Sequence, residues 1–358
     1  MGKGIPIMDR RTIGMLVVFG GLAFLLFSRK ASEEKAWQFR GRAMGTFYGI
    51  QVVGRPASDR EIEDVKRDVH LLLARISDWM SAFDPESEIS RFNASRKTEP
   101  FKVSGDFAHV AGLALEVAEK SGGAFDPTVA PLVDLWGFGK KEGDRQIPAE
   151  ADIEQAKART GFKHLSVPSQ DSLRKDTAEL ELDLSAIAKG YGVDRVAQYL
   201  LRRGYGNVLV DIGGEIVAKG NNMRDIPWRI SVEAPKRDAG YGRDRYRVLS
   251  LDNAAVATSG DYRNYFKRDD KAYSHIIDPR TGWPVSNNVA SVTVIAADCM
   301  TADALATALM VLGPEEGIEL LKEYRGVEAM LIVRNDDGTF RDVTSRGFSR
   351  YVVEDDTR

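Results

Sequence analysis

The sequence predicts an α+β fold in which helices and strands mix without a strict β-α-β repeat. Three observations carry this. Helical periodicities and short apolar strands follow one another irregularly, and no internal repeat is present. The composition, 43% hydrophobic and 29% charged over 358 residues, is that of a globular chain.

The first element is apolar. Ile13–Phe27 reads IGMLVVFGGLAFLLF, with Lys3, Arg10 and Arg11 before it and Arg29 and Lys30 after it. It is shorter than the about 20 residues of a full span, so a cleaved signal and a single anchor are both open. The following SRKASEEKA shows no small-x-small cleavage pattern and no cysteine to carry a lipid, which favours an uncleaved anchor. Basic residues on the N-terminal flank keep that end cytoplasmic. The expectation is therefore an anchor over 1–30 in the inner membrane, a polar linker over 31–43, and a domain on the periplasmic side.

The soluble elements follow in order. Phe47–Val53 reads as a strand. Ser58-Asp-Arg-Glu61 is a capping box, and Ile62, Val65, Val69, Leu72, Leu73 and Ile76 then recur at helical spacing to about Met80. A second helix runs from about Phe107 to Lys120 and stops at Gly122-Gly123. His70 and His109 on these helices read as core or boundary residues. A third helix spans about Ser185 to Arg203, ending at Gly204. Asn207–Ile212, Trp228–Val232, Val292–Ile295 and Ala329–Val333 are strands, and the charged stretch Lys236 to Arg247 is a solvated loop. Thr301 to Leu312 is a helix ended by Gly313-Pro314, with another helix to about Tyr324.

Composition excludes several classes of function. Fifty Lys plus Arg against 53 Asp plus Glu give a net charge of −3, a poor basis for nucleic-acid binding. Cys299 is the only cysteine, which removes an intramolecular disulfide, a zinc cluster and a dithiol site. The four histidines (His70, His109, His164, His275) are scattered, so any metal should be a hard cation held by oxygen.

Four segments carry groups unlike core. Asp126-Pro-Thr-Val-Ala-Pro-Leu follows a Gly-terminated helix. Asp183 opens a helix that carries Lys189 further on; a phosphate site at the helix start and a plain N-cap both fit. His275, before Asp278-Pro279, reads either as a proton carrier or as a turn-pinning residue. Asp303 and Thr307, four apart on one helix face, read either as Mg²⁺ ligands or as an exposed cap and a back-bonded threonine. Gly213-Gly214 lacks the GxGxxG spacing, and Asp211 and Glu215 flank it where a pyrophosphate would be repelled, so a dinucleotide fingerprint is rejected.

Taken together the motifs resemble the ApbE family of FAD:protein FMN transferases. They are MGTFY at 44–48, SAFDPESEISRFN at 81–93, GGAFDPTVAPLVDLWGFG at 122–139, DLSAIAKGYGVD at 183–194, NVLVDIGGEI at 207–216, TSGDY at 258–262, SHIIDPRTGWPV at 274–285 and ADALATALMVLG at 302–313. The resemblance implies a single α+β, T-fold-like domain over 44–350. It also implies a reaction: FAD is split, FMN is placed through a phosphoester on a Thr or Ser of a partner protein, and AMP leaves. By matched position, Met44, Phe83, Ala124, Phe125, Asp126, Asp183, Lys189 and Ile276 would contact FAD. Asp303, Thr307 and the Ala186 carbonyl would hold Mg²⁺, and His275, or a carboxylate such as Asp278, would take the hydroxyl proton. Phe83 stands where relatives often carry Tyr, which keeps a stacking surface and loses a hydroxyl. The implied acceptor is a membrane or exported electron-transfer protein with a Ser/Thr flavinylation motif. The same site with water as nucleophile would be a Mg²⁺-dependent FAD pyrophosphatase. A non-catalytic flavin-binding protein is the alternative outside enzymes.

Overall fold

The computed structural model describes residues 35–54, 57–140, 145–236, 244–269 and 271–353. The apolar run Ile13–Phe27 lies outside them, and no helix among the described residues is long and apolar enough to cross a membrane.

The chain opens with a hairpin, β1 (Lys35–Ala43) and β2 (Thr46–Gly54). The polar linker expected over 31–43 is thus corrected from Lys35 on: it is a strand. Its residues alternate, with Trp37 and Phe39 buried and Gln38 and Arg40 exposed, the period of a strand packed on one face. Helix α1 (Asp59–Met80) starts where the Ser58 side chain accepts the Glu61 N–H, and it buries Val65, Val69, Leu73, Ile76 and Met80. Each such side chain contributes about 1.5–3 kcal/mol when removed from water. The Glu61 carboxylate also accepts from Tyr205 Oη at 2.6 Å, tying the start of α1 to the turn after the 185–202 helix. His70 and His109 are exposed rather than core or boundary residues.

Next come α2 (Glu88–Ala94), β3 (Phe101–Lys102), α3 (Gly105–Lys120), α4 (Ala130–Leu135), α5 (Glu150–Lys157), β4 (Leu165–Ser169) and β5 (Ser172–Lys175). Helix α3 ends as the glycines require: Gly122 and Gly123 have φ of 60° and 82°, and the Gly123 N–H returns to the Ala118 carbonyl at 2.9 Å. Then follow α6 (Ser185–Arg202), β6 (Asn207–Ile212), β7 (Glu215–Lys219), β8 (Trp228–Glu233), β9 (Arg245–Leu251) and β10 (Ala255–Gly260). The stretch read as a solvated loop is therefore strand from Arg245. After β11 (Tyr265–Arg268), β12 (Lys271–Ser274), β13 (Ile277–Asp278) and β14 (Trp283–Pro284) come β15 (Val289–Ala296), α7 (Cys299–Leu320), β16 (Glu328–Arg334) and β17 (Phe340–Thr344). Helix α7 is two helices joined at Gly313, whose φ of 79° and ψ of −173° break it as Gly313-Pro314 predicts.

One eight-stranded sheet, ordered β1-β2-β6-β7-β10-β15-β16-β17, organises these elements, and every pairing in it is antiparallel. This is the α+β arrangement, without a parallel dinucleotide-binding core. Helices α6 and α7 pack on one face. The β8–β9 ribbon covers part of the other through Trp228, Ile230, Leu249 and Leu251. Strand β15 is buried at every residue, so apolar side chains stand on both its faces, with only Ser291 and Thr293 polar. A small cluster around Trp136 joins α4 and α5 to Tyr273 and Ile277. It brings the segment containing His275 up to the helical layer. The folded unit extends beyond the expected 44–350 at both ends, since β1 begins at Lys35 and Val352 bridges to Leu249.

Candidate active site

A cavity of about 450 Å³ lies between the start of α6, the Asp303–Thr307 stretch of α7, the sheet, and the 275–279 segment. Four walls supply its chemistry.

The first wall is the loop after α3. Ala124, Phe125 and Asp126 line the cavity. The Asp126 carboxylate does not hang free: Oδ1 accepts from Thr128 N at 2.8 Å and Thr128 Oγ1 at 2.6 Å, and Oδ2 accepts from Phe162 N at 3.0 Å. Burial raises its pKa against these bonds, which lower it. Its main work is to shape the loop.

The second wall is the start of α6. Asp183 Oδ1 accepts the Ser185 N–H at 2.8 Å, while its own N–H donates to the Pro127 carbonyl at 2.8 Å, tying this wall to the first. Ala186 and Lys189 follow on the cavity side. The plain N-cap reading of Asp183 is corrected: Leu184 holds the cap position without a side-chain cap bond, and Asp183 stands one residue before it, in the cavity wall.

The third wall is where α7 and the sheet meet. Asp303 is 3% exposed, and its Oδ2 accepts the Gly190 N–H at 2.9 Å. Gly190 is the residue whose N–H ordinarily bonds the Ala186 carbonyl four positions back, so the carboxylate competes for that donor. Thr307 Oγ1 lies 3.3 Å from Ser259 Oγ of β10. The Lys189 ammonium is 2.8 Å from Glu215 Oε1 and 3.6 Å from Asp303 Oδ1. Burial pulls the Lys189 pKa down, but Asp303 and Glu215 outweigh it and hold the ammonium protonated. Burial pushes Glu215 up, with Lys189 opposing. Its Oε2 is buried and accepts no hydrogen bond among the described residues.

The fourth wall carries His275, Ile276, Ile277 and Pro279. His275 Nδ1 is 3.1 Å from the Asn264 carbonyl oxygen. A carbonyl can only accept, so Nδ1 carries the proton and the neutral ring leaves the Nε2 lone pair available. Burial lowers the His275 pKa, against the bond to Asn264, which raises it. Phe83, 72% exposed, stands at the rim.

Eleven of the thirteen sequence-derived site residues are thus gathered around one cavity; Met44 and Asp278 are not among its lining residues. Met44 (φ 50°) and Gly45 (φ 72°) form the two-residue turn between β1 and β2. The Met44 sulfur instead packs beside Gly192, where an added Cβ would lie 3.0 Å from it. Asp278 is committed to its own turn: its carboxylate takes Arg280 Nε and a terminal guanidinium nitrogen, each at 2.9 Å. Of the two residues expected to take the proton, only His275 lines the cavity. Glu215 and Ser259 line the cavity although sequence reasoning gave them no role. The GGE and TSGDY segments were the signals.

Among the described residues no cluster of three or more His, Cys, Asp or Glu could hold a metal. A cation here would draw on mixed oxygen donors: one carboxylate (Asp303), one hydroxyl (Thr307) and the Ala186 carbonyl. That set fits a hard cation that keeps water and substrate oxygens in its shell.

Comparison with known proteins agrees with this arrangement. Residues 44–331 match the ApbE family. The chain is 41% identical over 337 residues to the FAD:protein FMN transferase of Vibrio cholerae serotype O1, covering 94% of this chain and 98% of that one. It is 36% identical over 331 residues to the FAD:protein FMN transferase of Escherichia coli K12, covering 91% and 92%. Among solved structures, the flavin transferase ApbE from Vibrio cholerae superposes with a TM-score of 0.80 at 41% identity, covering 89% of this chain and 99% of that one. The apo Pseudomonas stutzeri flavinyl transferase ApbE gives 0.79 at 37% identity, covering 89% and 97%.

Proposed function

The chain belongs to the ApbE family, and from that premise we propose that it is a FAD:protein FMN transferase. It cleaves FAD, joins the FMN phosphate to a Thr or Ser hydroxyl of an acceptor protein, and releases AMP. The observation that carries this reading is the meeting, in one cavity, of a proton-accepting histidine with a cation and carboxylates of the kind phosphoryl transfer uses.

The acceptor hydroxyl attacks the phosphorus on the FMN side of the pyrophosphate. The new bond is oxygen to phosphorus, the bond broken is phosphorus to the AMP oxygen, and the hydroxyl proton goes to His275 Nε2. Asn264 keeps the ring in the correct tautomer through Nδ1. Lys189 contributes positive charge beside the phosphates. Asp303, Thr307 and the Ala186 carbonyl would hold Mg²⁺, whose contribution is to neutralise charge that develops on the phosphoryl oxygens. Asp126 and Asp183 fix the loops on which the flavin nucleotide rests, and Phe83 offers a ring face at the mouth.

The apolar run Ile13–Phe27 supports an enzyme anchored in the inner membrane with its domain on the periplasmic side. An acceptor that is a membrane or exported electron-transfer subunit suits that placement. Protease protection in intact and permeabilised cells tests it: a domain shielded in spheroplasts would overturn it.

The decisive experiment incubates the full chain in detergent with FAD, Mg²⁺ and a domain bearing a candidate Thr motif, with an EDTA control. A covalent FMN adduct together with AMP supports transfer. AMP and free FMN, without an adduct on two different acceptors, would convert the reading to a pyrophosphatase. Bound FAD with neither product would make the protein a carrier.

A further inference from the structure

Asp194 closes the 183–194 motif, yet the reading above gives it no part. It lies on α6, two turns beyond Ala186, and its carboxylate crosses to the start of α7. Oδ1 accepts from Cys299 N at 2.8 Å, and Oδ2 accepts from Cys299 N at 3.0 Å and from Met300 N at 2.8 Å. This is not the cap of α7. That place is filled by Asp298, whose Oδ1 takes the Thr301 N–H at 2.8 Å. Asp194 holds two consecutive N–H groups that have no partner within their own helix.

One turn back along α6 the helices touch at Gly190. A Cβ there would lie 2.3 Å from the Cys299 carbonyl oxygen and 2.8 Å from Asp303 Cβ, and the Gly190 N–H reaches Asp303 Oδ2. One further turn back is Ala186, and one turn on along α7 is Thr307. The helices therefore run antiparallel in steps of one turn: 194 against 299 and 300, 190 against 303, and 186 towards 307. A glycine contact sets how closely two helices approach, but a smooth contact leaves them free to slide. A two-oxygen grip on successive N–H groups fixes the axial position.

We infer that Asp194 is a positioning residue that pins the register of α7 on α6, and so sets the spacing between the Ala186 carbonyl and the Asp303–Thr307 pair. The inference rests on the cation reading of those three donors. A slip of one residue moves Thr307 by about 1.5 Å. Mg²⁺ demands near-ideal octahedral geometry, and a misplacement of about 1 Å at a reacting centre can cost about a hundredfold in rate.

The test uses the full chain and Mn²⁺ as the probe, with FAD and no acceptor, following bound Mn²⁺ by electron paramagnetic resonance. Asp194→Ala should weaken Mn²⁺ binding about tenfold or more, the scale seen for residues that orient metal ligands. Asp194→Asn, which keeps one acceptor oxygen, should fall between and provides a folded comparison. In turnover, the Mg²⁺ half-saturation should rise while the KM for FAD stays within about twofold of wild type, unlike a general loss of structure. Leu249→Ala, buried on β9 across the sheet, serves as a stability control and should lower Tm without moving Mn²⁺ binding. Wild-type Mn²⁺ affinity in both Asp194 variants overturns the inference alone, as does an equal weakening in Leu249→Ala. A wild-type protein that takes up no Mn²⁺ overturns the cation reading and the inference together.

Discussion

The Lys189 ammonium stands between two carboxylates, 2.8 Å from Glu215 and 3.6 Å from Asp303, each with only 4% of its side chain exposed. One cation thus neutralises two acids that would otherwise repel each other in a confined space. Replacing Lys189 by Met should cost about 1–3 kcal/mol in urea denaturation, below the ~3–5 kcal/mol for breaking a fully buried pair, because the lysine is partly exposed. Adding Glu215→Gln should recover part of that loss. FAD affinity should fall in both variants, since the positive charge is gone. A double variant no more stable than Lys189→Met would show that Glu215 is not held by this pair.

Asp303→Ala should abolish cation-dependent turnover and leave the fold standing. The reason is local: once the carboxylate is gone, the Gly190 N–H still has the Ala186 carbonyl, its ordinary helical acceptor, within its own helix. Activity should fall at least a hundredfold at every Mg²⁺ concentration, with an unchanged circular dichroism spectrum. Unimpaired transfer at limiting Mg²⁺ would remove Asp303 from the site.

His275 carries the pH dependence. Burial lowers its pKa below the ordinary 6.5, so the ring stays neutral and able to accept a proton as pH falls through that value. The rate of transfer should hold from neutral pH through 6.5 and decline only below it. His275→Asn should bind FAD normally, transfer slowly and lose this acid limb. The stability sign runs the same way: below 6.5 the unfolded chain takes up the proton first, so stability falls as pH drops through that window. An acid limb unchanged in His275→Asn would reduce His275 to a structural role.

Phe83→Ala should separate binding from stability. The ring is 72% exposed, so its loss should leave the unfolding free energy within the about ±0.5 kcal/mol typical of surface changes. A stacking contact is worth about 0.5–1.5 kcal/mol, so FAD should bind about twofold to tenfold more weakly by fluorescence titration. Unchanged FAD affinity would place the ring outside the bound nucleotide.

Gly190→Ala should fail for steric reasons alone. Its Cβ would meet the Cys299 carbonyl oxygen at 2.3 Å, and that atom belongs to backbone and cannot swing aside. Overpacking of this kind costs about 1–3 kcal/mol. A fully stable variant in chemical denaturation would mean that α6 and α7 approach less closely than described.

Much of this was legible in the sequence, for identifiable reasons. Helices α1, α3, α6 and α7 announce themselves because their caps and breakers are local: Ser58, Gly122-Gly123, Gly204 and Gly313-Pro314 act on residues within one turn. Strand β1 was missed because KAWQFRGRA looks polar by charge, although its alternation of Trp37 and Phe39 with Gln38 and Arg40 was the better guide. Glu215 was read as an acid that would repel phosphate. Its cationic partner Lys189 lies on a different element, and only the fold joins them. Asp278 has a local partner that the sequence itself displays, Arg280 two residues on. Met44 precedes a glycine in a tight turn, and the turn rather than the cavity determines where its side chain goes.

The order of the eight-stranded sheet has a consequence for synthesis. Strand β2 pairs with β6, which begins at Asn207, so its inner edge stays open until more than 150 further residues have been made. Contacts this distant in sequence close slowly and leave apolar edges exposed meanwhile. The cavity is later still: its walls run from Ala82 to Thr307, and its α7 wall is the last to leave the ribosome. A chain stopped before Cys299 has every loop that would cradle the nucleotide and none of the α7 carboxylate and hydroxyl. Competence therefore arrives as one late event rather than growing with length, and a partly made chain is an open sheet without a site.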